Sequence, residues 1–193
     1  MHSYNLEEQL IFKGSLMLAL CCGIYLIWWS VAFRPEKTPH RVLEVLLFLA
    51  VATSGICAVI WIVRGVNDIP DGRKFLPQTI IIICGIAAYF LLLSATQVLL
   101  HRQVTTELLL IVAWAVLEFV TVNALYGAGI YSKTVTIVYF IIALAAAVFS
   151  MVCYLKYYEM EKLAAFYDGM VPLISIGIVM LLTAASIKMI GRR

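Results

Sequence analysis

Charge is what this sequence has least of. Only 13% of its 193 residues are Asp, Glu, Lys or Arg, about half the share of a soluble domain, while 64% are hydrophobic. The mean hydropathy is +1.00. The apolar residues fall in long uninterrupted runs, which excludes an ordinary globular core. Strict apolar–polar alternation is missing as well, and that excludes an outer-membrane barrel. No basic run stands out from the net charge of +3, so no nucleic-acid partner is expected.

Chemistry-bearing motifs are equally scarce. Cys21, Cys22, Cys57, Cys84 and Cys153 all lie in apolar runs and form no CxxC. They read as small polarizable packing residues rather than a disulfide or metal framework. His2, His40 and His101 fall near the ends of the runs, with no haem pair and no HExxH. There is no GxSxG, no Gly-rich phosphate loop and no aspartate cluster. Neither enzyme activity, nor a cofactor, nor a metal is expected. The start, "MHSYNLEEQLIF", is acidic and lacks the basic region of a signal peptide, so the first apolar run is expected to be retained.

What is there is hydrocarbon-compatible helix. About 20 apolar residues cross a bilayer, and lipid cannot satisfy an open backbone. Six spans are expected, near 10–33, 42–63, 77–100, 107–126, 134–154 and 172–190. Pro77 suits the start of the third, because the N–H it lacks would be unpaired there anyway. Trp28 and Trp29, and the tyrosines of "KYYEMEKLAAFYDG", suit an interfacial belt. Ala19 and Gly23, four residues apart, would let helix backbones approach. The expected fold is an all-α membrane protein, one integral domain over 1–193, built as a bundle of six transmembrane helices.

Six crossings put both ends on one side. Eight lysines and arginines fall on that side and six on the other, which favours cytoplasmic ends and a multi-pass protein of the cell membrane. A further expectation is two inverted three-helix repeats, 1–102 and 103–193. "LLFLAVATSGIC" and "IALAAAVFSMVC" are followed at similar spacing by Asp71-Gly72 and Pro77, and by Asp168-Gly169 and Pro172. Chance likeness is common in an apolar alphabet and stands as the alternative. A repeat of three spans must invert, as in many transporters.

Glu118 is the costly residue. It lies halfway along the fourth span, where a charge costs about 2.5–3.5 kcal/mol. No lysine or arginine reaches its depth in the sequence, and hydrocarbon favours the neutral acid. Trp114 and Thr121 share its helix face at i−4 and i+3, and Asn123 is offset. Tyr89, Thr53, Ser54 and Thr183 lie at similar depth in other spans. The expected site is therefore Glu118, Trp114, Thr121, Asn123 and Tyr89. The expected function is a small transporter or channel for a small solute or ion, proton-coupled through Glu118. The alternative is a membrane-embedded binding or sensory subunit docking a partner, with Glu118 as interhelical glue. The bilayer itself is the expected partner, with a homo-oligomer plausible because six short helices enclose little volume.

Overall fold

A computed structural model describes residues 6–33, 41–101, 106–157 and 159–190. The connector 34–40, Arg102, Tyr158 and the basic pair Arg192–Arg193 lie outside the described residues. All the regular structure among the described residues is helical: α1 Leu6–Ala32, α2 Arg41–Asn67, α3 Gln78–Leu100, α4 Thr106–Gly127, α5 Lys133–Tyr157, α6 Lys162–Asp168 and α7 Val171–Ile190. Six helical segments are long and apolar enough to cross a membrane, the last comprising α6 and α7. Broad apolar faces stay open, such as Leu46, Phe48 and Ile56 on α2 and Ile83, Leu91 and Val98 on α3. Soluble monomers rarely expose so much contiguous apolar surface. Lipid is the solvent that suits it.

The chain divides into two compact units, Met1–Asp68 with Val152–Arg193, and Ile69–Met151. In the first unit α1 packs on α2 and on α7. Glycine sets the α1–α2 distance. A Cβ on Gly14 would lie 2.5 Å from Ile62 Cγ1 and 3.0 Å from the Ala58 carbonyl, and one on Gly65 would lie 2.7 Å from the Glu7 carbonyl. Gly23, expected to serve this purpose, has open space where its Cβ would be. Cys21 Sγ reaches the Val51 carbonyl at 3.4 Å. Trp29 departs from the expected lipid-facing belt. It is buried, its Nε1 donates to the Phe166 carbonyl at 3.0 Å, and its ring covers Gly169. The indole thus ties α6 to α1, because a buried N–H requires an acceptor.

In the second unit a single 3₁₀ turn, Asp71–Arg73, leads to Pro77, which caps α3 from one residue before its start. His101 ends α3 in the left-handed conformation, φ 51°. Gly129, φ 77°, supplies the equivalent reversal after α4. α3 packs closely on α4, helped by Gly85, whose absent side chain makes room for Val116. α5 makes no such close backbone approach to α4. The space left between α3, α4 and α5 is an apolar slot of about 550 Å³.

Candidate functional site

α4 is the most buried of the six spans: 61% of an 18-residue apolar stretch of it is buried, against 44% or less in the others. One stripe of it carries the polar groups. Trp114, Glu118, Thr121 and Leu125 recur at helical spacing, and all four are buried, with Glu118, Thr121 and Leu125 fully so. Glu118 is the thirteenth residue of a 22-residue helix, so it lies near mid-span. It is engaged by an interaction within the chain. The Thr121 hydroxyl donates to the Leu117 carbonyl of its own helix at 2.7 Å. Trp114 Nε1 makes no hydrogen bond, which leaves a buried donor one turn from the acid. On α5, Thr136 and Ser150 are fully buried at a spacing of two heptads. The Thr136 hydroxyl back-bonds to Ser132, whereas Ser150 Oγ makes no hydrogen bond.

Asn123 is differently employed. Its Oδ1 accepts from Leu76 N at 2.9 Å and its Nδ2 donates to Leu76 O at 2.7 Å. The amide imitates a paired backbone and satisfies both polar groups of a residue in the α2–α3 connection, where no ladder exists. Gly127 lets the same connection approach: a Cβ there would meet Ile69 at 3.1 Å and Lys74 at 3.2 Å. Phe75 adds edge-on contacts with Tyr126 and Phe140, centroids 5.6 and 6.2 Å apart. The segment "DIPDGRKF" is therefore pinned to the end of α4.

Tyr89 is half-buried on α3, its ring against Phe90 of the same helix. The hydroxyls of Thr53 and Ser54 return to the carbonyls of Leu49 and Ala50 in their own helix. The structure thus gathers Trp114, Glu118 and Thr121 on one stripe and assigns Asn123 to the connection. The apolar slot is lined by another face of α4, through Leu108, Val112, Ala115, Val116 and Phe119, roughly a third of a turn away. Sequence reasoning did not find Ser15 and Ser150, both fully buried with unbonded hydroxyls. A lone serine in an apolar run carries no signal of burial.

Among the described residues no three His, Cys, Asp or Glu side chains converge as metal ligands. Cys21, Cys22, Cys57, Cys84 and Cys153 are free thiols. The chain matches no protein-family model, no curated protein and no solved structure.

Proposed function

We propose that this chain is a small multi-pass carrier or channel of the cell membrane, with its redeemable proton on Glu118. The observation that carries the reading is the stripe on α4: a fully buried acid at mid-span, with the unbonded Trp114 N–H one turn away. An ionisable group at that depth is expensive wherever it is charged, so proton uptake and release there is coupled to access by water. A small polar solute or ion is the cargo such a donor and acid would meet.

The inverted-repeat proposal adds support. The first unit joins α1 and α2 to α7, and the second joins α4 and α5 to α3. Each unit therefore takes two helices from one proposed half and the third from the other. Inverted halves of three helices each are a common plan of carriers and channels.

The test uses vesicles reconstituted with the chain around a trapped pH-sensitive dye, challenged with gradients of amino acids, sugars, organic acids and monovalent cations. At least one gradient is expected to shift the internal pH with the native chain and not with Glu118→Gln. Native vesicles that behave as empty ones throughout, or a Gln variant equal to the native chain, would overturn it.

A second reading has its own observation. The apolar slot is lined by a different face of α4 from Glu118, and Asn123 is fully committed to Leu76. In a docking subunit the acid would be interhelical glue. Glu118→Gln would then lower the melting temperature or release a co-purifying subunit, and move no solute.

A further inference from the structure

The slot between α3, α4 and α5 has a shape that selects its occupant. On α4 it runs from Leu108 to Phe119, and on α5 from Ile137 to Met151. At 1.5 Å per residue these are about 16 Å and about 21 Å, slightly more than one leaflet of a hydrocarbon core about 30 Å thick. Spread over that length, 550 Å³ open to the centre of a water-sized sphere gives a path about 6 Å wide, and so about 9 Å between the walls. A helix with its side chains is about 10–12 Å wide and does not enter. An alkyl chain, whose carbons touch neighbours at about 4 Å, does. The walls are aliphatic and aromatic, with the Cys84 thiol as the most polar group, so a hydrated ligand would lose its water for nothing.

One mouth of the slot carries charge. Leu76 lines the slot, and Arg73 and Lys74 precede it by three and two residues. Lys74 Nζ is held by Gln78 Oε1 at 2.9 Å, and Lys133 opens α5 at the same end of the unit. Arg73, Lys74 and Lys133 thus give that end of the unit three cations. Cations beside a hydrocarbon slot match an anionic headgroup above its own acyl chain.

We infer that this slot binds an anionic phospholipid, its acyl chain between α3, α4 and α5 and its headgroup at Arg73, Lys74 and Lys133. The inference does not depend on Glu118, which lines no part of the slot.

The native chain, purified in mild detergent and incubated with phosphatidylglycerol or phosphatidylcholine, is examined by native mass spectrometry. A retained phosphatidylglycerol adduct exceeding the phosphatidylcholine adduct is expected. Ala88→Phe with Ala147→Phe, which fills the slot, is expected to lose it. Arg73→Gln with Lys133→Gln is expected to remove the preference between the two lipids. Equal adducts in native and filled chains, no preference in the native chain, or a dimer abolished by filling would overturn the inference. A measurement without substitutions stands beside these. Cys84 lines the slot and is exposed, so its alkylation by N-ethylmaleimide, read by peptide mass, should slow with phosphatidylglycerol. An unchanged rate would overturn the inference too.

Discussion

Asn123 commits its amide to both backbone groups of Leu76, and Thr121 two residues earlier commits its hydroxyl to its own helix. The two polar residues should therefore respond differently to deletion. Asn123→Ala leaves a half-buried N–H and C=O without partners, at a cost of about 2 kcal/mol. For a chain of this size that is a fall of roughly 4–8 °C in melting temperature. Thr121→Val removes a bond that competes with the helix rather than joining elements, and should change the melting temperature little. Fluorescence-detected unfolding in detergent reads both, and equal effects would mean that the clamp contributes no more than a local hydroxyl. Trp29 offers a second residue-scale case. Trp29→Phe keeps the ring over Gly169 and deletes the bond to Phe166. A loss of about 1 kcal/mol is expected, with earlier proteolysis in the α5–α6 connection as the accompanying sign.

Between elements, α1 and α2 meet through absent side chains. Gly14→Leu must displace Ile62 and the Ala58 carbonyl, and Gly65→Val must displace the Glu7 carbonyl. Backbone atoms cannot step aside as side-chain ends do, so each substitution should lower stability by several kcal/mol or abolish monodisperse protein, as overpacking does at its severe end. Gly23→Leu in the same helix meets open space and should be tolerated. Size-exclusion profiles of the three variants check this, and a Gly23 variant as damaged as the other two would contradict it. The same contrast shows what was legible in the sequence. Six long apolar helices were, five of them to within about four residues at each end, because hydrocarbon constrains length and composition; the sixth segment begins at Lys162 rather than near Pro172, since α6 precedes α7 in it. The glycine that matters was not. Gly14 stands between Lys13 and Ser15 near the start of the run, whereas Gly23 lies within it, and only the register against α2 shows that Gly14 is the point of contact. Trp29 looked like a belt residue because its acceptor lies 137 positions away. Asn123 looked like a site residue because its partner lies 47 positions away. Glu118, Trp114 and Thr121 were legible as one stripe since helical spacing is local, while the buried hydroxyls of Ser15 and Ser150 depend on what covers them.

For the whole molecule, parity and charge together make the sharpest demand. If all six long apolar helices cross the bilayer, as proposed, parity puts Leu6 and Ile190 on one side together with the α2–α3 and α4–α5 connections. In the proposed orientation that side is cytoplasmic, favoured by eight lysines and arginines against six. A margin of two is small, and Arg73 and Lys74 in the α2–α3 connection account for it. Replacing both with Gln leaves six on each side, so the orientation should become mixed. A fluorescent protein that matures in the cytoplasm, and a phosphatase that is active outside it, can each be fused after residue 190. The native chain should give fluorescence and little phosphatase activity, and Arg73→Gln with Lys74→Gln should give both. Arg41 opens α2 on the opposite side, so Arg41→Gln in the doubly substituted chain should restore the bias toward fluorescence. Fusions that report one unchanged orientation in all three chains would show that the charge margin does not set the topology. The cations at the mouth of the slot would then be left with their headgroup role alone.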